Sequence, residues 1–436
     1  MSLLKKPALP QRIATRLKES RERWRAVLYP VLGRRLPRAL RAKRAGRVAA
    51  TWPDGVRAPE FEEMVARIDT GPVHRGDRIE VFHHGVEAGA AVRAAIEGAQ
   101  EEVLLETYIL KDDATGNALL ELLGRAAARG VKVRVLADAV GSWFTKRQFW
   151  ERMAGQGIEV RLFHPLLRHF FDLFRRDHRK IIVVDRRIGF TGGMNVADEY
   201  GVAQNFPEIQ AWRDTHVRLE GTTAWGLAIV FNEGWERAGG TALRLPEKPA
   251  TPPTGAKTIV LSCRPGRGHA ETSAVLAATM GAARRTLWIT NSYFAPHPAV
   301  LGRLCAAAKR GVDVRLLLAG QTDVPVVRRV GRASYARLLA SGVRIFEYQP
   351  TVMHAKTVVV DDWASMIGSS NLDYRSYYLN AECNVLILDE ATGCGMGRSF
   401  LQDLEQATEI GPETWARRSR WARQADVFYR WLSPLL

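Results

Sequence analysis

The sequence predicts an α/β protein made of two similar halves, each a mainly parallel sheet flanked by helices. Three observations support this prediction. Apolar runs of strand length alternate with segments of helical periodicity, the same order of segments occurs twice, and a proline-rich stretch separates the two occurrences. A strand-helix-strand succession of this kind places consecutive strands parallel to each other and covers the sheet with helices.

Each half begins with a helix and continues with three apolar strands. The helix between the first two strands ends at a glycine, Gly130 in one half and Gly311 in the other, which is typical of a helix C-terminus. The corresponding segments are residues 86–100 and 273–283 for the opening helix, 103–109 and 286–294 for the first strand, 130–136 and 311–317 for the second, and 157–163 and 342–346 for the third.

Proline and glycine mark the boundary between the halves. Pro246, Pro249, Pro252, Pro253 and Gly255 lie in a stretch that is not expected to hold regular structure. The predicted organisation is a basic amphipathic arm and lead-in at residues 1–74, a first domain at 75–239, a Pro-rich linker at 240–257, a second domain at 258–410, and a basic amphipathic tail at 411–436.

The formal net charge of +17 lies mostly at the two ends of the chain. Residues 1–50 carry +13 and residues 413–436 carry +3, so the middle of the chain carries only +1. A protein that follows a nucleic-acid backbone normally carries its positive charge along the groove that holds the strand. We therefore expect basic arms on a nearly neutral enzyme, without nucleic acid as a partner.

Apolar residues recur among the basic residues of both arms. They are Trp24, Val27, Leu28, Val31 and Leu32 near the start of the chain, and Phe428, Trp431, Leu432, Leu435 and Leu436 at its end. Such segments suit the headgroup boundary of an anionic bilayer, where each basic residue adds about 1 kcal/mol. Packing on the protein body is the alternative. No apolar run reaches the length of a spanning helix, and the four cysteines suggest a reducing compartment. We therefore expect a peripheral location on the cytoplasmic face of the cell membrane.

One segment occurs in both halves with identical spacing. It holds a histidine and a lysine two residues apart, then an aspartate, then a Gly-x-x-Asn turn. These residues are His178, Lys180, Asp185, Gly192 and Asn195 in the first half, and His354, Lys356, Asp361, Gly368 and Asn371 in the second. Residues two apart on a strand point to the same face, so each histidine and its lysine can be aimed at a common point.

The residue types in this segment favour chemistry on a phosphate group. Two lysines and two asparagine amides can hold the phosphate oxygens, and the turn backbone at Gly193 and Ser369 can approach them closely. One histidine can attack phosphorus while the other protonates the departing alcohol, with the roles reversed in a second step. We therefore predict a phosphohistidine intermediate.

A neutral imidazole presents the correct nitrogen only when its other nitrogen is held by a partner, which is often a carboxylate. Asp214 and Glu382 lie at comparable distances after His178 and His354 in the sequence. We predict that these two acids orient the two histidines. A role at the surface or at a strand end is the alternative for each acid.

The two motifs resemble the twin HKD motifs of the phospholipase D superfamily, over approximately residues 75–410. Further phrases resemble bacterial cardiolipin synthases, in the short form without transmembrane helices. They are Glu106-Thr107-Tyr108-Ile109-Leu110, Phe190-Thr191-Gly192-Gly193-Met194-Asn195, Glu199-Tyr200-Gly201 and Trp212-Arg213-Asp214-Thr215-His216. The resemblance implies two phospholipase D-like halves packed face to face, an active site at their seam, and neither a metal nor an organic cofactor.

The family resemblance also implies roles for the motif residues. His178 is expected to be the nucleophile and His354 the acid, while Asp185 and Asp361 support the site. The residues expected to hold the phosphoryl oxygens are Lys180, Asn195, Lys356 and Asn371.

The implied activity is that of a phosphatidyltransferase that joins two phospholipids, expected to be two phosphatidylglycerols giving cardiolipin and glycerol. A hydrolase that releases phosphatidic acid is the first alternative, since water can replace the lipid alcohol without a change of residues. A phospholipase D-like nuclease and a lipid-binding scaffold without catalysis are further alternatives. The neutral middle of the chain disfavours the nuclease, and the intact His-Lys pairs disfavour the scaffold.

Two further expectations follow from the sequence. A monomer is expected to be sufficient, because both half-sites lie in one chain. Trp143 and Phe144, beside Gly141 and Lys146, are interpreted as an acyl-chain entrance or a mobile lid, with burial in the core as the alternative.

Overall fold

The computed structural model describes residues 38–432 except 69–70, 165–174, 202–210, 246, 248, 251, 253 and 265–268. The apolar residues of the N-terminal arm, from Trp24 to Leu32, therefore lie outside the described residues, as do Leu435 and Leu436. Among the helices that are described, none combines the length and the apolar character needed to cross a bilayer.

Helices and strands alternate along the chain as the sequence predicts. The lead-in and the first half contain α1 (Arg38–Ala49), α2 (Pro59–Arg67), β1 (Val73–Arg75), β2 (Arg78–Phe82), α3 (Gly85–Glu97), β3 (Glu102–Thr107), α4 (Ala114–Ala128), β4 (Lys132–Asp138), α5 (Arg147–Gly155), β5 (Glu159–Phe163), β6 (Ile181–Val184), β7 (Ile188–Gly192), β8 (His216–Glu220) and α6 (Thr222–Arg237). The second half and the tail contain β9 (Lys257–Cys263), α7 (His269–Ala282), β10 (Thr286–Asn291), α8 (Pro298–Lys309), β11 (Asp313–Gln321), α9 (Pro325–Arg332), α10 (Tyr335–Leu339), β12 (Arg344–Val352), β13 (Lys356–Val360), β14 (Ala364–Gly368), α11 (Tyr374–Tyr378), β15 (Glu382–Leu388), α12 (Glu390–Glu405), β16 (Ala407–Glu409), α13 (Pro412–Ala416) and α14 (Arg420–Leu432).

The strands form one mixed sheet in each half. The strand order is β2-β8-β7-β6-β3-β4-β5 in the first half and β1-β9-β15-β14-β13-β10-β11-β12-β16 in the second. Strands β3, β4 and β5 are parallel, as are β10, β11 and β12, and the other described pairs are antiparallel. The α/β class and the two-half repeat are confirmed. The expectation of mainly parallel sheets is corrected, because the repeated motif folds into an antiparallel hairpin, β6–β7 or β13–β14, beside the parallel strands.

The central strands bury both of their faces. In β3, Val103 and Leu105 point into an outer core covered by α3 and α4, whereas Leu104 points into the seam, the contact surface between the two sheets. This alternation is the two-residue period of a strand. The seam core also contains Val183 from the first sheet and Val385 from the second, together with residues of α6. The two halves therefore pack face to face.

The lead-in packs on the second half, although it precedes the first half in the chain. Strand β1 pairs with β9 of the second sheet, and α1 crosses α7 at small residues. A Cβ added at Gly281 would lie 2.1 Å from the carbonyl oxygen of Gly46, so the two helix backbones touch. The described residues between Arg237 and Lys257, within the predicted linker, form neither helix nor strand.

The tail helix α14 contacts α9 of the second half. The guanidinium of Arg329 donates a hydrogen bond of 2.7 Å to the hydroxyl of Tyr429 and also lies over its ring. Trp421 and Phe428, which are seven residues apart on α14, remain exposed. The helix therefore docks by one face and leaves two aromatic side chains in solvent.

Asp185 and Asp361 organise the turns of the repeated hairpins. The Asp185 carboxylate accepts the backbone N–H groups of residues 100, 101 and 102, at the start of β3. The Asp361 carboxylate accepts those of residues 284, 285 and 286, at the start of β10. Both aspartates have positive φ, 49° and 54°, which Asp tolerates better than most residues. Each therefore connects a hairpin turn to the neighbouring parallel strand.

We expect Asp361→Ala to lower the free energy of unfolding by about 3 kcal/mol more than Asp362→Ala, because it removes three hydrogen bonds to backbone amides. Asp362 is a matched control: its φ is also 54°, and its carboxylate makes an ion pair with the exposed Arg285. The measurement is urea unfolding of both variants. Equal losses in the two variants would show that the three hydrogen bonds from backbone N–H groups to Asp361 contribute little to stability.

Candidate active site

The two His-x-Lys segments meet across the seam through backbone hydrogen bonds. The N–H of His178 donates to the carbonyl of Ala381 in the second half at 2.9 Å. The N–H of His354 donates to the carbonyl of Arg213 in the first half at 2.7 Å. Each histidine is therefore fixed to the opposite half just before its own central strand begins.

Each histidine also receives its carboxylate from the opposite half. Nδ1 of His178 lies 3.1 Å from Glu382 Oε2, and Nδ1 of His354 lies 2.7 Å from Asp214 Oδ2. Both acids are fully buried. The sequence places Asp214 after His178 and Glu382 after His354, and the structure pairs them the other way. Because Nδ1 is the engaged nitrogen in both rings, Nε2 is the nitrogen available for chemistry.

The turn residues expected at a phosphate support the acids instead. The Ser369 hydroxyl donates to Glu382, and the carbonyl of Ser369 lies 3.2 Å from Nδ1 of His178. A Cβ added at Gly193 would lie 2.1 Å from Asp214 Oδ1, so glycine makes room for that carboxylate. In the empty site, both residues therefore contact the orienting acids.

The two lysines are buried and turned towards the histidines. Nζ of Lys180 donates to the carbonyl of His178 at 2.7 Å, and Nζ of Lys356 donates to the carbonyl of His354. Burial is the main cause that lowers the pKa of Lys180 to about 7 and that of Lys356 to about 8. A bound anion would restore the charged state of both ammonium groups. The pair is therefore suited to a phosphate group.

The two asparagines fix the ends of the central strands in equivalent ways. Asn195 Oδ1 accepts the N–H of Ile109 at 3.2 Å, and Asn371 Oδ1 accepts the N–H of Tyr293 at 3.4 Å. Nδ2 of Asn195 donates to the Tyr200 hydroxyl at 2.8 Å. These bonds orient both amides beside the lysines.

A cavity in each half reaches this group of residues. One is lined by Lys180 and Asn195 together with apolar residues of α3 and α4. The other is lined by Lys356 and Asn371 together with apolar residues of α7 and α11. The histidine cluster is hereafter defined as His178, Lys180, Asn195, Asp214, His354, Lys356, Asn371 and Glu382.

Positive charge and burial together keep the histidines neutral. Burial, with Lys356 as the next cause, lowers the pKa of His354 to about 4. Burial and Lys180 also lower the pKa of His178. For the acids, burial raises the pKa, but the neighbouring cations and imidazoles outweigh it and leave the pKa of Asp214 and of Glu382 below its usual value. In the empty cluster the two carboxylates are therefore charged and the two imidazoles neutral, while the lowered pKa values of the lysines leave part of their positive charge to be gained when an anion binds.

The structure does not bring Asp185 and Asp361 to the cluster. Asp185 lies where β6 ends, opposite the start of β3, whereas His178 precedes β6 and lies beyond the other end of β3. Asp361 is placed in the same way at the end of β13. Both aspartates therefore position the repeated hairpins, at the ends of the strands away from the histidines.

Aromatic side chains around the histidines carried no predicted role. Tyr108 lies 4.9 Å from the His178 ring, whereas Tyr200, Trp212 and Tyr293 surround His354 at 5.4 to 6.0 Å. The Tyr200 hydroxyl is 3.2 Å from Nδ1 of His354. Tyr108, Tyr200 and Trp212 lie in the segments that resemble cardiolipin synthases. Their position in those segments is the sequence feature that could have predicted a place at the site.

Two buried arginines also join the halves near the cluster. Arg179 donates to the Ser262 hydroxyl and to the carbonyl of Cys263, both at 3.0 Å. Arg213 makes a bidentate pair with Asp403 of α12, at 3.0 and 2.6 Å. Each arginine is next to a cluster residue in sequence and therefore holds the seam close to the histidines.

Comparison with known proteins identifies relatives over most of the chain. The family model described as "Cardiolipin synthase, PLD-like domain" matches residues 92–214 and 276–405, and each segment contains one histidine and one acid of the cluster. The chain is 33% identical to cardiolipin synthase 1 of Bacillus cereus, over 97% of this chain and 82% of that protein. It is 36% identical to cardiolipin synthase A of Pseudomonas putida, over 84% and 76%.

A solved structure supports the fold independently. Phosphatidylserine synthase of Haemophilus influenzae aligns with a TM-score of 0.67 over 86% of this chain and 100% of its own. The sequence identity is 12%, so this likeness concerns the fold alone.

The charges of the cluster predict opposite effects of two substitutions on the pKa of His354. Lys356→Met should raise it, because a cation that disfavours the imidazolium is removed, and Asp214→Asn should lower it further, because the stabilising anion is lost. Titration of the histidine ring protons by NMR measures both shifts. Lys309→Met, at an exposed position on α8, is the control. An unchanged pKa in Lys356→Met would contradict the described geometry.

Proposed function

We propose, from the premise that the chain belongs to the phospholipase D-like cardiolipin synthase family, that it is a phosphatidyltransferase joining two phospholipids. Its substrates are two phosphatidylglycerols and its products are cardiolipin and glycerol. The observation that carries this proposal is the meeting of two oriented histidines and two lysines at one seam. The relatives named above are cardiolipin synthases.

In the first step, Nε2 of His178 attacks the phosphorus of one phospholipid. A P–N bond forms, the P–O bond to the glycerol headgroup breaks, and His354 gives its proton to the departing oxygen. Glu382 holds the attacking ring in the required tautomer from the other half of the protein. The assignment of His178 as nucleophile follows the family resemblance.

In the second step, His354 takes a proton from the hydroxyl of a second phosphatidylglycerol. That oxygen attacks phosphorus, the P–N bond breaks, and His178 returns to its neutral form. Asp214 stabilises the imidazolium that forms on His354. Both steps therefore use the same two rings with their roles exchanged.

The charge balance of the cluster fits this sequence. When a bound anion keeps both lysines charged, their charges cancel those of the two carboxylates while the histidines are neutral. A phosphodiester brings one negative charge, which one protonated histidine then balances. We therefore propose that substrate binding is accompanied by protonation of His354, which the empty cluster disfavours.

Burial of the reacting groups favours transfer over hydrolysis. His178 is 8% exposed and His354 3% exposed, so little water reaches the rings when the site is empty. Exclusion of water protects a reactive intermediate from hydrolysis.

We propose that the protein acts at the cytoplasmic face of the cell membrane as a peripheral enzyme, on anionic phospholipid. One chain supplies both half-sites, so a monomer is sufficient for activity. The basic arms carry most of the positive charge and provide attraction to that surface.

We expect purified protein mixed with phosphatidylglycerol vesicles to form cardiolipin and glycerol in equal amounts. Mass spectrometry of the lipids and an enzymatic assay for glycerol measure this result. Phosphatidic acid without cardiolipin would identify a hydrolase instead. Absence of any lipid change would overturn the proposal, and a parallel assay with DNA would then test the nuclease alternative.

Single histidine variants provide the matched controls. His178→Asn and His354→Asn should each lower kcat about 10³-fold, the order expected for loss of a nucleophile or general acid. His84→Asn, at an exposed histidine outside the cluster, should retain activity. An acid-labile phospholipid adduct on the protein should be absent from His178→Asn.

A further inference from the structure

Two aromatic side chains project from the loop that follows β4. Trp143 is 61% exposed and Phe144 is 92% exposed, which makes Phe144 the most exposed large apolar side chain in the described part of the protein. Lys146 and Arg147, which follow after the buried Thr145, are also exposed. An aromatic pair followed by basic residues combines apolar surface with positive charge at one projection.

Hydrogen bonds fix the backbone on both sides of this pair. The Ser142 hydroxyl accepts the N–H of Leu110 at 3.0 Å and lies 3.3 Å from the carbonyl of Tyr108, and the Thr145 hydroxyl donates to the carbonyl of Leu110. A Cβ added at Gly141 would lie 2.1 Å from the Tyr108 carbonyl oxygen. The loop is thus tightly seated on the segment after β3, which disfavours the mobile-lid interpretation.

The same anchors lead directly to the histidine cluster. Asp138 accepts the N–H groups of Val140 and Gly141 through one carboxylate oxygen and the N–H of Asp177 through the other, at 2.8 to 3.0 Å. Asp177 precedes His178 in the chain, and Tyr108 contacts the His178 ring. The aromatic pair is therefore held in a fixed position relative to the reacting imidazole.

Topology places this projection on the edge of the sheet where the histidines lie. Strands β3 and β4 are parallel, so they end at the same edge, and Tyr108 follows the end of β3. In the second half, β11 corresponds to β4, and the short loop after it contains Asp323, which accepts a hydrogen bond from Tyr293 beside His354. The exposed Val326 lies just beyond this loop, in the first turn of α9. Both halves therefore present apolar surface at the active-site edge.

We infer that Trp143 and Phe144 form a rigid tip that inserts into the headgroup boundary of an anionic phospholipid bilayer and holds the histidine cluster against it. Aromatic side chains favour this boundary, and the exposed ammonium of Lys146 complements anionic headgroups, while the guanidinium of Arg147 is paired with Glu151. The inference rests on the proposed function in one respect, because a substrate embedded in a bilayer requires the site to face it.

A fluorescent label at the tip tests insertion without turnover. Phe144→Cys carries an environment-sensitive dye in a Cys394→Ser background, since the other cysteines are buried. With vesicles of phosphatidylglycerol and phosphatidylcholine, the emission should shift to the blue and be quenched by quenchers placed on the acyl chains. Ala128→Cys, labelled at the exposed end of α4 near the opposite edge of the sheet, should not respond. An unresponsive label at residue 144 would overturn the inference.

The double variant Trp143→Ala/Phe144→Ala tests the consequence for catalysis. It should bind the same vesicles about tenfold more weakly or worse, because two aromatic side chains that would insert into the bilayer are lost. Activity on phosphatidylglycerol in vesicles should fall in parallel, while activity on short-chain phosphatidylglycerol dissolved as monomers is retained. Thermal unfolding verifies that the fold is intact.

The two readouts separate this inference from the proposed function. Insertion of the labelled tip without any lipid turnover by the unsubstituted protein would support the inference and overturn the proposed function. Equal loss of activity on vesicles and on monomers would contradict insertion, because the pair would then act on the substrate directly. A dye response to monomeric lipid in the absence of vesicles would likewise overturn the inference and identify a lid.

Discussion

The exchange of carboxylates between the halves is the interaction on which the rest of the site depends. Glu382 reaches His178 and Asp214 reaches His354, and all four side chains are buried. Removing charged groups from water costs several kcal/mol for each ion, and only close partners offset that cost. Two acids, two lysines and two neutral imidazoles meet this requirement together. Neither half contains an oriented histidine on its own.

This dependence explains why the seam is held so firmly near the histidines. The backbone of each histidine bonds to the opposite half, and Arg179 and Arg213 lie beside cluster residues and reach across the same surface. Breaking a buried ion pair such as Arg213–Asp403 costs about 3–5 kcal/mol, so separation of the sheets is strongly opposed. The duplicated fold thus joins two incomplete half-sites at one seam, as the proposed two-step reaction at a single phosphorus atom requires.

Much of the fold could be predicted because the repeat is visible in local patterns. The predicted opening strands at 103–109 and 286–294 overlap β3 and β10, since short apolar runs bounded by turns identify buried strands. The antiparallel course of β6 and β7 was not predicted, because apolar runs do not specify strand direction. The docking of the lead-in on the second half was also absent from the predictions. It depends on close contact between Gly46 and Gly281, which are far apart in sequence.

In the candidate site, too, the sequence predicted the residues that share a local motif but not the contacts between distant segments. The identical spacing of the two motifs predicted the histidines, lysines and asparagines that the structure brings together. The positions of Asp214 and Glu382 in the sequence predicted them as the orienting acids. They did not predict which histidine each acid contacts, because each pair forms between the two halves. The contact of Tyr200 with His354 likewise depends on how the halves meet. The contact of Ser369 with Glu382 lies within the second half and follows from the pairing of β14 with β15.

We propose that the two half-sites form one phosphate site. The number of anions that bind to each chain tests this proposal most directly. Titration calorimetry with tungstate, a tetrahedral dianion, should show one ion bound per chain, and Lys180→Met and Lys356→Met should each weaken the same binding event. Two ions per chain, or a variant that loses one site and keeps another unchanged, would contradict the account.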